Sequence, residues 1–357
     1  MQGVYLTGHG GYDKLEFRND IPTPMPAADE VLIRVGGAGV NNTDINTRIA
    51  WYSKGVTGDT GMGAEVGFAD AKNDDGSWSG IDLQFPRIQG ADCCGMVVAV
   101  GAAIDESRIG QRVLVRTMMD ESAADDLVGV CTGSERDGAF AQYMTTPSRH
   151  ALAINSDWSD IELASIPCAY STAEGMLHRA DVGAETVLVT GASGGVGSAA
   201  VQLAKRRDAN VIAMASQIKF DDVKALGADR VIDRDAGLVE VLGHESVDVV
   251  LDLVAGPGWP QLLEVLKCGG RYAASGAIAG PIVELDVRTL YLKDLSFFGC
   301  TFQPDIIFKN LVRYIEAGEI RPVVAKSYPL SDIVAAQQDF IAKKFTGKLV
   351  LVPQQSP

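Results

Sequence analysis

Histidine and long hydrophobic runs are both scarce in this sequence, and each scarcity excludes a class of protein. Only four of the 357 residues are histidine, and no His-Glu-x-x-His stretch or mixed histidine–cysteine cluster can be assembled from them. A structural zinc lobe is therefore not expected. No run of about eighteen uncharged apolar residues occurs, so a membrane-spanning helix is not expected. No basic stretch followed by an apolar one opens the chain, which predicts no secretory signal and a cytoplasmic protein.

Basic residues are outnumbered, with 31 Lys and Arg against 46 Asp and Glu and a net charge of −15. A surface this acidic repels phosphate backbones, so nucleic-acid binding is not expected. The six cysteines include no Cys-x-x-Cys pair and are expected to stay reduced. Hydrophobic residues make up 46%, and at about 150 residues per domain the length predicts a globular protein of two domains.

Short strands separated by glycine turns are predicted over roughly the first 150 residues, which is typical of a small β-barrel-like domain. The clearest apolar runs are at 31–35, 96–100 and 112–115. Between residues 55 and 80 the pattern lapses into Gly, Asp and Ser. A loop of this length is either a surface insertion or a lid over a binding site.

From about residue 185 onward, predicted strands alternate with predicted helices. The strands are at 186–190, 210–215, 230–233, 247–254, 271–275 and 295–302, and the helices between them at 198–207, 221–226 and 259–267. This alternation predicts a doubly wound parallel sheet with right-handed crossovers. Beyond it we predict a helix over 305–316 and a strand over 348–352 that returns to the first domain.

The most specific motif follows the first of these strands and fits the dinucleotide fingerprint as Ala192-x-Gly194-x-x-Gly197. Gly194 lets the backbone approach a pyrophosphate, and Gly197 lets the helix pack against the strand. The free N–H groups at the helix start then bind the phosphates. Because a predicted strand precedes the motif and a predicted helix follows it, it indicates a dinucleotide-binding loop. The loop comprises Ala192, Ser193, Gly194, Gly195, Val196 and Gly197.

The end of the second strand of this unit discriminates NAD from NADP. NAD sites place an Asp or Glu about 20 residues past the loop, where it binds the ribose hydroxyls. Here the residue nineteen positions after Gly197 is Ser216, and Lys219 follows it. With no carboxylate to repel a 2′-phosphate and with Lys219 as a positive charge, NADPH is the predicted cofactor. The alternative is that Lys219 is an ordinary solvated lysine.

Together these features resemble the medium-chain dehydrogenase/reductase superfamily, and within it the zinc-independent quinone oxidoreductase-like branch. The resemblance covers nearly the whole chain and rests on the glycine loop and on residues 39–44, 90–101, 138–143, 167–172, 227–229, 269–272 and 346–350. It implies an α/β protein in which a GroES-like β-barrel catalytic domain (1–155, completed by 303–357) is split around a Rossmann domain (156–302). It also implies a homodimer or homotetramer, with the strand at 295–302 at the intersubunit edge.

The resemblance also locates the metal ligands of the zinc-containing relatives. Asn41 and Ala91 stand where those relatives have Cys and His, and neither an amide nor a methyl group can replace such ligands. Cys168 falls at a third ligand position and Asp92 at a nearby acid. No catalytic zinc is therefore expected. The alternative is an adventitious metal held by Cys168, Asp92 and Cys93 or Cys94.

By the same resemblance, the catalytic candidates are Asn41, Asp44 and Tyr52. The Asn41 amide can hydrogen-bond substrate or nicotinamide, or Asn41 is merely a turn residue; Asp44 is beside the site or only supports the loop. The Tyr52 phenol can donate to the acceptor oxygen, and Trp51 can stack on a planar acceptor or belong to the core. A second family tyrosine corresponds to Asn46, so the pocket differs from the quinone reductase pattern. The remaining cofactor candidates are Ser171, Thr172, Gly276, Ala277, Cys300, Thr301, Phe302 and Lys348, of which Lys348 reaches either a phosphate or the surface.

The missing metal ligands decide which chemistry is expected. Without a Lewis acid nothing lowers the pKa of an alcohol, whereas a quinone or enone takes the arriving charge onto its own oxygen. We therefore expect an NADPH-dependent, metal-free oxidoreductase that transfers hydride to a small-molecule quinone, enone or similar conjugated acceptor. The alternatives are an alcohol dehydrogenase or enoyl-thioester reductase on the same fold, or a cofactor-binding protein with little turnover.

Overall fold

The computed structural model describes residues 1–71, 76–79, 82–120 and 129–354. Residues 72–75 and 80 of the predicted 55–80 loop lie outside the described residues. The strands of the first half are β1 (Gly3–Leu6), β2 (Leu15–Arg18), β3 (Glu30–Gly39), β4 (Arg87–Ile88), β5 (Cys94–Val100), β6 (Arg112–Val115), β7 (Met118–Asp120), β8 (Gly129–Cys131), β9 (Tyr143–Pro147) and β10 (Ala151–Ala153). The helices of this half are α1 (Asn42–Arg48), α2 (Asp160–Leu163) and α3 (Pro167–Arg179).

The second half alternates strand and helix. Its strands are β11 (Thr186–Val189), β12 (Asn210–Ala215), β13 (Arg230–Asp233), β14 (Val247–Asp252), β15 (Leu266–Ala274), β16 (Ser296–Gly299), β17 (Val324–Pro329) and β18 (Lys348–Val352). Its helices are α4 (Gly195–Lys205), α5 (Phe220–Ala225), α6 (Leu238–Leu242), α7 (Trp259–Val265), α8 (Val287–Leu292), α9 (Asp305–Glu316) and α10 (Ile333–Ile341).

Strand β3 is the centre of the first, barrel-like domain. It pairs antiparallel with β5, β9 and β18, and the sheet runs in the order β10-β6-β5-β3-β18-β17. Val31, Ile33 and Val35 are fully buried while Arg34 is exposed. This alternation is the period of two expected for a strand with one face on a core.

The second domain is a parallel sheet in the order β13-β12-β11-β14-β15-β16. This is the order of a doubly wound dinucleotide-binding sheet, so the predicted fold class is confirmed. Several predicted bounds were wrong, among them the start of β15, which lies at Leu266 rather than at residue 271. Helix α4 begins at Gly195, three residues early, because the extended Gly194 caps it directly. Strand β16 ends at Gly299 rather than 302, and Cys300 makes the last backbone bond, to Ala274.

The chain returns to the first domain at its end. Strand β18 occupies the predicted residues and pairs with β3 through Val350 with Gly39 and Leu351 with Ala38. Helix α9 buries Ile307 and Leu311 on one face. We propose 1–155 with 303–357, and 156–302, as the two domains.

Two composition-based expectations concern the thiols and the membrane. All six cysteines, each within the described residues, are free. Among the described helices, none has both the length and the apolar character needed to cross a lipid bilayer.

Candidate cofactor cleft and active site

A cleft of about 820 Å³ opens at the carboxyl ends of the parallel strands. Its walls include the glycine loop, the ends of β12, β14 and β15, the loop before α1, and the end of α10. The cleft therefore lies where the strand order reverses, between β11 and β14, which is where such sheets bind ligands. Its volume falls within the usual range of cofactor sites, roughly 300–1,000 Å³.

The glycine loop forms one wall of the cleft. Gly191 has a φ of +58°, and a Cβ on Gly197 would approach the Gly191 oxygen to 2.2 Å. Both positions therefore require glycine. Ser193 to Gly197 line the cleft, whereas Ala192 is fully buried beneath it. Because α4 starts at Gly195, its free N–H groups face the cleft and suit an anion.

A basic corner lies at the end of β12, where sequence reasoning placed a 2′-phosphate. Ser216 and Lys219 both line the cleft. The Lys219 ammonium is buried and donates to the carbonyls of Lys343 (2.8 Å) and Phe345 (2.6 Å). Burial, and next the charge of Arg234, lowers the Lys219 pKa. Lys219 is therefore not an ordinary solvated lysine.

Sequence reasoning missed two basic residues of this corner, Arg234 and Lys343, which also line the cleft. Burial lowers the pKa of Lys343, and the neighbouring Arg234 contributes in the same direction. Arg234 follows β13, whose carboxyl end must lie at the same edge of the sheet as that of β12. That signal was in the sequence. The position of Lys343, by contrast, depends on how α10 packs.

Several predicted cofactor contacts are not on the cleft wall. Ser171 is fully buried inside α3 and donates to the Cys168 carbonyl at 3.3 Å. Cys300 is buried, with its thiol directed to the Phe298 carbonyl. Of the residues predicted after β15 and β16, Gly276 lines the cleft. The predicted contacts that do not line it are Ala192, Ser171, Thr172, Ala277, Cys300, Thr301 and Phe302.

Asp44 holds the start of α1. Its carboxylate accepts from the Asn41 N–H (2.7 Å) and from the Gly90 N–H (3.2 Å). Burial raises the pKa of Asp44 to about 7, against the lowering effect of the Asn41 N–H bond. Asp44 thus caps the helix and ties it to the loop before β5. This arrangement agrees with the second of the two roles considered from the sequence, in which Asp44 supports the loop.

Asn41 lies at the end of the cleft within a closed set of hydrogen bonds. Its amide nitrogen donates to Asp92 Oδ2 (2.8 Å) and to the Gly39 carbonyl (3.2 Å), and its amide oxygen accepts from Lys348. Both amide N–H groups are therefore already engaged within the protein. The hydrogen bond of Asn41 with substrate or nicotinamide stays a prediction, and it would require one of these internal bonds to be exchanged.

Lys348 is the unexpected member of this cluster. It is buried, and its ammonium contacts Asp92 Oδ2 at 2.8 Å and the Val40 carbonyl at 2.8 Å as well as Asn41. Lys348 lines the cleft, but its ammonium is paired with the buried Asp92 carboxylate and does not reach the surface. Its predicted contact with a cofactor phosphate stays a prediction. The other Asp92 oxygen accepts from the Cys168 N–H.

These residues do not fit a catalytic zinc site. Burial, and next the charge of Asp92, raises the pKa of the Cys168 thiol far above its usual range, whereas zinc needs a thiolate. A metal would also have to displace the ammonium from Asp92. Cys93 and Cys94 pack into two different hydrophobic cores. In the described ranges, no group of three or more His, Cys, Asp or Glu is placed to hold a metal ion.

Tyr52 and Trp51 follow α1, and neither is among the residues that line the cleft. The Tyr52 hydroxyl donates to Thr43 Oγ1 at 3.2 Å, and burial raises its pKa above the usual range, so the phenol is neutral. The Trp51 indole donates to the Gly58 carbonyl at 2.9 Å and meets the Tyr52 ring edge-on. Trp51 therefore anchors the loop that follows it.

The described part of the predicted 55–80 loop contacts both domains. Thr60 is buried; its N–H donates to the Ile278 carbonyl (3.3 Å) beyond β15, and its hydroxyl donates to Asn46 Oδ1 (3.1 Å) in α1. Asp59 lines the cleft and its charge acts on Lys343. This loop therefore spans the two domains beside the cleft.

Comparison with known proteins agrees with this architecture. The profile of the alcohol dehydrogenase GroES-like domain matches residues 27–156, and that of the zinc-binding dehydrogenase family matches residues 195–317. An NADPH-dependent alkenal/one oxidoreductase, chloroplastic, from Arabidopsis thaliana is 29% identical over 360 residues, which cover 99% of this chain and 80% of that protein. A quinone oxidoreductase from Lama guanicoe is 27% identical, covering 99% and 97%.

A solved structure from Sinorhizobium meliloti 1021, described provisionally as an alcohol dehydrogenase, is 46% identical with a TM-score of 0.89, covering 99% of this chain and 97% of that one. The barrel, the doubly wound sheet and the shared cleft thus define an oxidoreductase of two domains. The chain belongs to the medium-chain dehydrogenase/reductase superfamily, in its quinone oxidoreductase-like branch.

Proposed function

We propose that this protein is an NADPH-dependent oxidoreductase that transfers hydride, without a metal ion, to a quinone, an enone or a similar conjugated carbonyl acceptor. The observation that carries the proposal is one cleft with two different ends. The glycine loop and the basic corner form one end. At the other end lies the cluster of Lys348, Asp92 and Asn41, which does not fit a metal ion. The names of the alkenal/one and quinone oxidoreductases among the relatives support the same chemistry.

The chain's residues suit a phosphorylated dinucleotide. The start of α4 would hold the pyrophosphate, and Ser216, Lys219 and Arg234 would hold the 2′-phosphate, since no carboxylate follows β12 at that point. When bound, reduced NADP supplies the hydride. The role of the two domains is to hold the acceptor beside it and to exclude water.

At the other end of the cleft, a hydrogen-bond donor is enough for a conjugated acceptor. Such an acceptor places the incoming charge on its own oxygen, which a neutral donor can stabilise. Tyr52 is the proposed donor, because its phenol keeps its proton; its O–H would have to turn from Thr43 Oγ1 to the acceptor's oxygen. Asn41 and Asp44 are proposed to position this site, because their polar atoms are engaged within the protein.

The proposal is tested by NADPH consumption at 340 nm with 1,2-naphthoquinone and 3-buten-2-one, each with NADH as the matched control. We expect turnover with NADPH, weaker turnover with NADH, and no dependence on added zinc. Tight NADPH binding without turnover across a broad acceptor panel would indicate a cofactor-binding protein instead. Stoichiometric zinc in the purified protein would contradict the metal-free chemistry.

Alcohol oxidation is the second candidate, because the 46% identical structure is described as that of an alcohol dehydrogenase. The buried ammonium at the reaction end argues against it, since a cation already bound to Asp92 opposes a second one. Initial rates with NADP⁺ and a series of primary and secondary alcohols decide the matter. Alcohol oxidation faster than enone reduction would favour this candidate.

A further inference from the structure

Lys348 joins the two functional ends of the cleft. We propose that it is the site's internal cation: its ammonium takes the place at which zinc-containing relatives hold their metal, ties Asn41 and Asp92 to the glycine loop, and keeps a positive charge beside the acceptor's oxygen. The inference rests on the proposed function, because it specifies how that site stabilises charge.

The stem of Lys348 lies on the dinucleotide side. The N–H of the preceding Gly347 donates to the Ser193 carbonyl at 2.9 Å, so β18 begins hydrogen-bonded to the glycine loop. A Cβ on Gly195 would approach Lys348 Cδ to 2.6 Å. Gly195 therefore leaves the space through which this side chain passes.

The ammonium of Lys348 lies on the catalytic side. Its three contacts, with Asp92 Oδ2, Asn41 Oδ1 and the Val40 carbonyl, match the three N–H groups of a lysine. No N–H remains for a ligand, so Lys348 acts through its neighbours and its charge. It is a positioning residue rather than a proton donor.

Position and burial give this charge its effect. Asn41 and Cys168, which stand where zinc ligands occur in relatives, both bond to Asp92, and the ammonium lies against Asp92 and Asn41. The side chains of Lys348 and Asp92 are 3% and 0% exposed. Because the ammonium is paired with Asp92, the acceptor's oxygen would meet the dipole of a buried ion pair. Water screens this dipole less than it would at the surface, and the dipole needs no reorganisation when the oxygen becomes negative.

The kinetic test compares Lys348→Met with the double variant Lys348→Met/Asp92→Asn. The single variant leaves Asp92 buried without its partner and is expected to lower the melting temperature; the double variant removes both charges and is expected to recover it. With a conjugated acceptor we expect kcat to fall about 10- to 100-fold in both variants, with the NADPH Kd, read from nucleotide fluorescence, changed less than about twofold. Lys348→Arg is expected to regain part of kcat, and Lys309→Met, an exposed lysine on α9, is the matched control.

Two results would overturn this inference. If the double variant regains wild-type kcat, Lys348 serves only to neutralise Asp92 and does not stabilise charge on the acceptor's oxygen. If Lys348→Met raises the NADPH Kd and leaves kcat unchanged, the ammonium binds a cofactor phosphate. Wild-type protein that reduces no acceptor refutes the proposed function instead, and the metal test below then still decides whether Lys348 takes the metal's place.

The metal test needs no turnover. Asn41→Cys with Ala91→His supplies, together with Cys168, a Cys₂His donor set. We expect this variant to bind Co²⁺ weakly while Lys348 is present, and to bind one equivalent, with the thiolate–Co²⁺ absorption band, once Lys348→Met is added. Equal Co²⁺ binding with and without Lys348 would show that its ammonium does not occupy the metal's place.

Discussion

At the scale of single residues, burial determines what each polar group of the site can do. The Asp44 carboxyl is surrounded by protein and accepts two backbone N–H bonds, yet burial outweighs them and raises its pKa to about 7. In the unfolded chain an Asp pKa is about 3.9. The folded state therefore binds the Asp44 proton more tightly than the unfolded state does.

This difference predicts a pH dependence of stability. Between about pH 4 and pH 7 the folded state binds the Asp44 proton more fully than the unfolded state does. The stability that protonated Asp44 contributes is therefore lost as pH rises through this range. The loss is at most roughly 1.4 kcal/mol per unit of difference between the folded and unfolded pKa values. Asp44→Asn lacks this contribution and, with one acceptor oxygen, is less stable at low pH. Melting temperatures of both proteins across this range should converge as pH rises. A gap between them that is independent of pH would contradict the raised pKa.

Arg234 gives a cleaner test of cofactor choice than Lys219, whose ammonium supports the backbone at Lys343 and Phe345. Arg234 is exposed at the cleft. Arg234→Ala should raise the KM for NADPH about tenfold, because a charged contact with the 2′-phosphate is lost. The KM for NADH and the melting temperature should stay unchanged. Ser216→Asp is the converse variant and should favour NADH. Equal changes for both nucleotides would show that this corner does not bind a 2′-phosphate.

At the scale of elements, the sequence predicted those with a marked apolar pattern and missed those without one. Strands β12 and β13 and helix α9 have the predicted bounds. Helix α3 was missed because nine of its thirteen residues are buried, which leaves no polar face to give an amphipathic period. The contacts of Lys348 could not be predicted, because Asn41 lies 307 positions away and only the pairing of β18 with β3 brings them together.

The loop after α1 predicts a kinetic effect. The Thr60 hydroxyl donates to Asn46 Oδ1, and the Asn46 side chain acts on Tyr52, whose pKa it lowers against the larger effect of burial. Thr60→Val keeps the shape and removes the hydroxyl, so Asn46 and then Tyr52 lose their orientation. We expect kcat/KM for the acceptor to fall about fivefold, the value of one hydrogen bond near 1 kcal/mol, with the NADPH Kd unchanged. Thr57→Val, at an exposed neighbour, is the control, and an unaltered kcat/KM would remove Tyr52 from this chain of contacts.

At the scale of the whole molecule, one edge of the parallel sheet pairs with no further strand among the described residues, and apolar side chains of the adjoining chain are exposed. Strand β16 is its last strand, and Tyr291 and Leu292, in the preceding helix α8, are 59% and 68% exposed. An open strand edge beside exposed apolar side chains favours pairing with another chain. We propose a homodimer formed at this edge.

Light scattering after size exclusion tests the homodimer. The wild-type protein should have a mass of about twice 37.8 kDa, because pairing covers this edge. The double variant Tyr291→Lys/Leu292→Lys should have a measured mass closer to that of a monomer, because burying two ammonium groups opposes association. Ile109→Lys, at an exposed apolar residue outside this edge, should not. A wild-type monomer at micromolar concentration would refute the proposal.

The position of Lys348 also orders events during synthesis. The ribosome makes the glycine loop some 150 residues before this lysine, and Asn41 long before either. A nascent chain can thus fold its nucleotide-binding turn while the opposite wall still lacks its cation. If Lys348 acts as proposed, a polypeptide arrested before residue 348 lacks the cation of the Asp92 cluster, and its hydride transfer should be slower than that of the full sequence.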